Sequence, residues 1–200
     1  MYNSPTEEYL RQYMNLKKNS CFIDIGANIG LWTFFIAKKG FKVHAFEPSP
    51  QPFKHLKDCA QRYPNIQVYP YALGKENHVG LLNLHRASGH NSLIFEGVDF
   101  YHKKMKVKIK TLDSHSFSNV GLIKIDTEGF EVPILLGSFQ TIKTWQPRLI
   151  IEVHFPYKKQ LSLIKAILKE HSYYWIIRYK SLINPQPHII AQHKHTLDLS

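Results

Sequence analysis

The sequence predicts an α/β fold: a three-layer, doubly wound, mostly parallel sheet with an antiparallel C-terminal hairpin and a small β-rich insertion in the middle. Three observations predict it. Short apolar runs of strand length alternate with amphipathic stretches, in the order βαβαβ, then β segments, then βαβαββ. The links between them are short, so right-handed crossovers cover both faces of a parallel sheet. Acidic residues stand at or near the carboxyl ends of separate runs: Asp24, Glu47, Asp126 and Glu152. In such sheets ligands sit outside those ends, at the point where the strand order reverses.

Residues 5–17 read as a short helix with Leu10, Tyr13 and Met14 on one side. "CFIDI" at 21–25 is a short buried strand. Residues 30–39 form a helix that Gly40 ends. "KVHAFEP" at 42–48 is a second strand, stopped by Pro48. Pro50 and Pro52 suit the first turn of a helix running to about Tyr63. "NIQVYPYALG" holds a third strand, ended by Pro70. In the middle, "VGLLNLH" (79–85) and "KMKVKIKTL" (104–112) are β segments. Met105, Val107 and Ile109 alternate with Lys104, Lys106, Lys108 and Lys110, which makes one apolar face and one lysine face. "RASGHNSL" at 86–93 is a polar loop between them.

"GLIKIDTEG" at 121–129 is a strand running into an acidic turn, and a helix follows from about Glu131 to Leu136. "PRLIIEVHF" at 147–155 is another buried strand. Residues 157–171 place Leu161, Ile164, Ala166, Ile167 and Leu168 mostly on one helical face. "YYWIIRYK" and "HIIAQHK" are two closing strands joined through "NPQP". One domain, 1–200, is expected, with an N-terminal helical segment at 1–20 and the β-rich insertion at 75–115.

Bulk composition narrows the class. The chain has 200 residues and is 44% hydrophobic, enough for one well-buried core. Aromatic residues at 13% and charged residues at 20% exclude a disordered chain. No apolar run reaches ~18 residues, so no membrane span is expected. The start, "MYNSPTEEYLRQY", carries acids and lacks the apolar stretch of a signal peptide. Cys21 and Cys59 do not make a disulfide framework. A soluble, cytoplasmic protein is the expectation; the oligomeric state is not addressed by the sequence. The net charge of +11 attracts polyanions, whether nucleic acid, acidic headgroups or a charged small substrate. Charge alone names none of them.

The turn after the first strand asks which ligand it holds. A dinucleotide fingerprint needs glycines where this chain has Gly26, Asn28 and Leu31, and a phosphate-binding P-loop needs a Gly-Lys-Ser/Thr that does not follow. A diphosphate is also disfavoured by Asp24 at the mouth. S-adenosyl-L-methionine carries a sulfonium, an ammonium and no phosphate, so it suits acids. Gly26, Ala27, Asn28 and Gly30 then form the cofactor turn, since glycine and asparagine tolerate left-handed backbone. Asp24 is a candidate for the amino-acid end, and Glu47 for the ribose diol.

The stretches "FIDIGANIGLWTFFIA", "VHAFEPSPQPFKHL", "YALG", "HNSL", "VKIKTLDS" and "LIKIDTEGFEVPILLGS" fall in the order seen in FkbM-like methyltransferases, which this chain resembles from about Phe22 to His154. The resemblance implies a Rossmann-like class I methyltransferase sheet of about seven strands, S-adenosyl-L-methionine as cofactor, and mostly O-methylation. It implies that Gly26, Asn28 and Gly30 line the cofactor and that Glu47 binds the ribose. It also implies that Tyr71, Ala72 and Leu73 approach the adenine and that Asp126 lies near the methyl donor.

Methyl transfer is an in-line displacement, helped by alignment and by a base for a hydroxyl nucleophile. Asp126, Glu128 and His154 are the catalytic candidates. His154 has the side chain whose ordinary pKa lies nearest neutrality, although a structural histidine is the competing reading. Glu152 shares its face by period two. Glu128 and Glu131 are the alternative metal ligands, but two acids on one turn more often hold loop geometry or cap the helix, so no metal is expected. His188, His193 and His195 lack a zinc-site pattern. His90, Asn91 and Ser92 either touch substrate or form a surface turn. The lysine strand is either a solvated edge or a groove for an anionic substrate, RNA included. The leading expectation is O-methylation of a small-molecule or glycan-like hydroxyl. Its rivals are RNA ribose 2'-O-methylation and a non-catalytic binding subunit.

Overall fold

The computed structural model describes residues 16–17, 19–85, 93, 101–179 and 187–196. The expected N-terminal helix, most of the polar loop with His90, Asn91 and Ser92, and the link between the last two strands lie outside the described residues.

Ten strands and five helices follow in order among the described residues: β1 (Cys21–Ile25), α1 (Leu31–Ala37), β2 (Lys42–Phe46), α2 (Pro50–Ala60), β3 (Ile66–Tyr69), β4 (Ala72–Leu73), β5 (His78–His85), β6 (Tyr101–Lys110), β7 (Val120–Ile125), α3 (Glu131–Leu136), α4 (Phe139–Trp145), β8 (Arg148–Glu152), α5 (Tyr157–Glu170), β9 (Tyr173–Tyr179) and β10 (Pro187–His193). Seven strands form one sheet in the order β3-β2-β1-β7-β8-β10-β9. Strands β3, β2, β1, β7 and β8 are mutually parallel. β10 runs antiparallel between β8 and β9, so the C-terminal hairpin puts β9 at the edge. The order reverses between β1 and β7, which sets the ligand-binding rim at their carboxyl ends.

Strands covered on both faces must be apolar on both faces, and period two divides their side chains between two cores. Ile23, Ile25, Ile123, Ile125, Leu149 and Ile151 enter one cluster; Phe22, Val43, Leu122 and Ile150 enter the other with Ile36 of α1. A second sheet, β4-β6-β5, forms the insertion. Val107 and Ile109 bury against Ala72 and Leu82, and Lys104, Lys106 and Lys108 face solvent, as the alternation predicts.

Several boundaries move. α2 ends at Ala60, not near Tyr63, because the chain turns there with Tyr63 N–H bonding to the Ala60 carbonyl. The third strand ends just before Pro70 as expected, and beyond it Ala72–Leu73 form an unexpected short strand, β4, that pairs with β6. Helix α4 was not expected: its N-terminal amides at Gln140 and Thr141 are held by the Asp113 carboxylate, a partner from another element. No helix among the described residues is long and apolar enough to cross a membrane.

An aromatic cluster covers the β2–β3 edge. His44 lies 4.2 Å from Phe117 between ring centroids, and Phe46 stacks on Tyr69 at 4.5 Å. Burial, with the charges of Lys42 and His115 adding to it, pushes His44 down to about 4. The depressed value has a definite sign: His44 must be neutral in the fold, so its contribution is present above pH 6.5 and is lost as pH falls through 4. Urea unfolding followed from pH 7 to pH 4 should show this loss, and His44→Phe should make the slope shallower. An unchanged slope would place the acid sensitivity elsewhere.

Candidate active site

The turn after β1 is shaped by what it packs against. Gly26 and Ala27 both donate their N–H groups to the Phe46 carbonyl, at 3.1 and 3.0 Å. Gly26 has φ +75°, and a Cβ there would lie 1.9 Å from the Asp126 carbonyl oxygen. Gly30 has φ +91°, and its Cβ would strike Phe34 and Leu56. The glycines are thus required by the protein's own backbone and side chains, whatever ligand approaches. Asn28, with φ +51°, takes the remaining left-handed position.

Glu47 fastens this turn to the end of β2. Its Oε2 accepts the Asn28 N–H at 2.9 Å and its Oε1 accepts the Ser49 N–H at 2.8 Å. Desolvation raises the Glu47 carboxyl above the usual range, opposed by those hydrogen bonds and by Lys124. A cleft opens beside it. Asn28, Glu47, Asp126 and Glu128 supply its polar wall, and Phe46, Ala72, Leu73 and Phe130 its apolar wall. The space is about 640 Å³ out to the open mouth. Asn28 Oδ1 is buried there with no hydrogen-bond partner among the described residues.

Of the residues expected to bind cofactor, Gly26, Asn28, Glu47, Ala72, Leu73 and Asp126 line this cleft. Four do not. Asp24 is fully buried, receives the Thr33 hydroxyl at 2.7 Å and faces Lys124 Nζ at 3.4 Å, so its partners are internal and not a ligand's amino group. Ala27 is buried below the turn and Gly30 is filled around by Phe34 and Leu56. Tyr71 turns the other way, with its hydroxyl 2.7 Å from His115 Nε2 and Lys110 Nζ 4.7 Å from its ring centroid. Tyr71 lines a separate groove with Phe53, Pro70, Lys106, Lys108 and Lys110; Pro48 belongs to both walls.

The acidic rim is organised by two cations. Ile125 pairs with Ile151, so Asp126 and Glu152 follow side by side on adjacent strands. Lys124 sits buried beneath them, with Nζ 2.9 Å from the Gly26 carbonyl, 3.3 Å from Asp126 Oδ2 and 3.4 Å from Asp24 Oδ1. Burial alone would lower its pKa, but Asp126 and Asp24 outweigh burial and raise it, so Lys124 stays charged. Lys124 is the principal site residue missing from the expected set. Its signal was present in "LIKID": a lysine flanked by apolar residues in a strand buried on both faces needs an anionic partner.

His154 carries the other cation. Its Nδ1 lies 2.8 Å from Glu131 Oε1, and its Nε2 lies 3.5 Å from Glu128 Oε1 and 3.7 Å from Asp126 Oδ1. Burial would lower the imidazole, yet Glu128 and Glu131 overcome burial and push it up to about 11. With carboxylates at both nitrogens the ring is an imidazolium at neutral pH. An imidazolium has no lone pair to offer, so the expectation of His154 as general base is corrected: it is an internal counter-charge. Asp126 is raised above the usual carboxylate range, chiefly by desolvation, with Glu152 and Glu128 adding to it and Lys124 and His154 opposing it. Its side chain is 31% exposed at the mouth of the cleft. Glu152 Oε2 lies 3.1 Å from His188 Nε2. Asp126, Glu152 and His154 bring polar side-chain atoms within 4.8 Å of one another.

Residues 24–174 match the Methyltransferase FkbM domain, three quarters of the chain. The chain belongs to the FkbM methyltransferase family. Relatives of this FkbM chain include the 31-O-demethyl-FK506 methyltransferase FkbM of Streptomyces tacrolimicus, 42% identical over 57 residues, which are 28% of this chain and 22% of that protein. The hexuronic acid methyltransferase AglP of Haloferax volcanii is 27% identical over 141 residues, 66% of this chain and 54% of AglP. The match thus spans about half of AglP's length and less of FkbM's. Among solved structures, Methyltransferase FkbM from Methylobacillus flagellatus KT superposes with a TM-score of 0.64 at 20% identity, covering 86% of this chain and 43% of the other. A putative methyltransferase from Streptococcus mutans, solved in complex with SAH, gives 0.56 at 18% identity, covering 96% and 98%. At these identities the structures speak for the fold, and that fold is the class I methyltransferase sheet.

Proposed function

We propose that this chain is an S-adenosyl-L-methionine-dependent O-methyltransferase whose acceptor is a hydroxyl of a small molecule or carbohydrate. The observation that carries the reading is the cleft at the sheet's switch point, lined by both Glu47 and Asp126. Carboxylates there favour a sulfonium and disfavour a diphosphate. Phe46, Ala72, Leu73 and Phe130 offer the apolar surface an adenine needs. Asn28 Oδ1, buried without a partner, and the remaining lone pairs of Glu47 are acceptors for ribose hydroxyls or an ammonium. When bound, S-adenosylmethionine supplies the electrophilic methyl group.

The chain's own residues account for the rest. Asp126 is placed to take the proton that an acceptor hydroxyl gives up as its oxygen bonds to the methyl carbon and the carbon–sulfur bond breaks. Lys124 holds the far oxygen of Asp126 and, with the same ammonium, the Gly26 carbonyl, which ties the base to the cofactor turn. Substrate recognition is supported by the lysine groove beside the cleft and by the similarity to AglP, a hexuronic acid methyltransferase by name. Both favour an acidic sugar as acceptor.

Calorimetry with S-adenosylhomocysteine tests the cofactor reading. Wild-type protein should bind it, and Glu47→Gln should weaken binding about ten- to a hundredfold, the loss of roughly one charge-assisted hydrogen bond. Absence of binding to the wild type would overturn the proposal. RNA ribose methylation, which the same lysines favour, calls for RNA binding whose affinity falls steeply with salt. Binding of S-adenosylhomocysteine without methyl transfer to uronic-acid hydroxyls or RNA would instead favour a binding subunit.

A further inference from the structure

Lys106, Lys108 and Lys110 alternate along β6, and period two puts them on one side of the strand. All three line the groove that Tyr71 enters, together with Pro48, Pro50, Pro70 and Phe53. None of the described residues lining this groove is acidic. The cleft beside it has the reverse charge, with Glu47, Asp126 and Glu128 on its wall. Pro48 is shared by the two spaces, and the chain passes from Tyr71 in the groove straight to Ala72 and Leu73 in the cleft. One ligand can therefore lie in both.

The opposite charges sort the parts of an acceptor. A carboxylate placed among the acids of the cleft is repelled, whereas in the groove it meets ammonium groups. The spacing of those groups bears on how many charges are bound. Alternate residues of a strand are about 6.6 Å apart, so the backbone carries Lys106 and Lys110 roughly 13 Å from one another. Three ammonium groups drawn onto one carboxylate would repel each other. Spread along the strand, they suit charges that repeat along a chain. Ring chemistry then distinguishes the kinds of polyanion. Single-stranded RNA is held by aromatic faces on which successive bases stack. Tyr71 is already engaged: Lys110 Nζ lies 4.7 Å from its ring centroid, and its hydroxyl lies 2.7 Å from His115 Nε2. Phe53 is the other aromatic side chain of the wall, beside three prolines. Proline rings bury the C–H faces of sugars and offer a base no π-face.

We propose that the lysine groove is a subsite for an anionic oligosaccharide, holding the acidic units next to the sugar whose hydroxyl is methylated in the cleft. The inference rests on the O-methyltransferase reading for what happens in the cleft. It adds that the acceptor is a chain with more than one acidic sugar, not a free monosaccharide. Lys106 and Lys108, which line the groove and not the cleft, then set acceptor specificity without touching the cofactor.

The test is calorimetry on the full-length protein at fixed ionic strength, with trigalacturonate, galacturonic acid, neutral maltotriose and tetrauridylate, whose phosphates match the trimer's carboxylates in number. Trigalacturonate should bind at least about tenfold more tightly than each of the others. The double variant Lys106→Gln/Lys108→Gln should weaken it by about tenfold or more. Lys165→Gln/Lys169→Gln, which removes the same charge from α5, should leave it unchanged. Circular dichroism establishes that both variants are folded. No binding of trigalacturonate up to about 1 mM, binding no tighter than that of galacturonic acid or maltotriose, or equal weakening in the two double variants overturns the inference. Tighter binding of tetrauridylate that depends on Lys106 and Lys108 gives the groove to RNA and overturns it as well. Calorimetry with S-adenosylhomocysteine on the same preparations separates the two ideas: cofactor binding without trigalacturonate binding removes the subsite alone, and trigalacturonate binding without cofactor binding removes the methyltransferase reading alone.

Discussion

Replacing His154 by leucine is expected to cost about 3–5 kcal/mol of folding stability, the range for removing one partner of a buried ion pair. Glu131 is the reason. It is 0% exposed, and His154 Nδ1 is its cationic partner at 2.8 Å. Its other contacts are the Gly129 N–H at 2.9 Å and the Thr127 hydroxyl at 3.4 Å, while Oε2 has no hydrogen-bond partner among the described residues. Glu131 therefore gathers the acidic turn 127–131 around one carboxylate, and Gln160 of α5 seals the turn from outside by donating to the Gly129 carbonyl at 2.6 Å. Without the imidazolium, a charge is left in the core with two neutral donors. Urea unfolding of the two proteins measures the cost. The double variant His154→Leu/Glu131→Leu should recover part of it, because two apolar side chains leave no orphaned charge. A loss below about 1 kcal/mol in the single variant would mean that His154 is no counter-charge.

Asp126→Asn should lower methyl transfer by about 10²–10⁴-fold, the usual worth of a positioned acid or base, while S-adenosylhomocysteine affinity changes by less than tenfold. Asparagine keeps the shape and removes the charge and the basicity. The fold should survive, since Lys124 retains Asp24 at 3.4 Å and the Gly26 carbonyl at 2.9 Å. The effect separates chemistry from binding because Asp126 follows β7 and Glu47, the residue proposed to hold the cofactor, follows β2, with β1 between those strands. Single-turnover transfer of a labelled methyl group, alongside calorimetry, reads the two quantities independently. A rate within fivefold of wild type would pass the base's role to another carboxylate at the mouth, with Glu128 next in line.

Most of the sheet was legible from residues 21–25, 42–48, 121–129 and 147–155, because an apolar run of strand length between turn residues is a local pattern. The lysine alternation at 104–110 was read correctly for the same reason. The two unexpected secondary elements were governed by partners elsewhere. Ala72–Leu73 became a strand because Ile109 and Lys110 were there to pair with it, and α4 formed where Asp113 could hold its first amides. Glu47 and Asp126 could be placed at the cleft from sequence because they stand at the ends of strands whose carboxyl ends must share a rim. Tyr71, Asp24 and His154 were expected to meet ligand or substrate, whereas their neighbours are internal: His115 for Tyr71, Thr33 and Lys124 for Asp24, and Glu128 and Glu131 for His154.

Sequence alone thus determined the layering, the strand that each acid terminates and the left-handed positions of the turn, since period, capping and backbone sterics act over a few residues. Tertiary structure decided which acids face the cleft, that Lys124 lies beneath them and that His154 is a cation. Those outcomes depend on burial and on charges contributed by segments far apart in the chain, and no local pattern contains either.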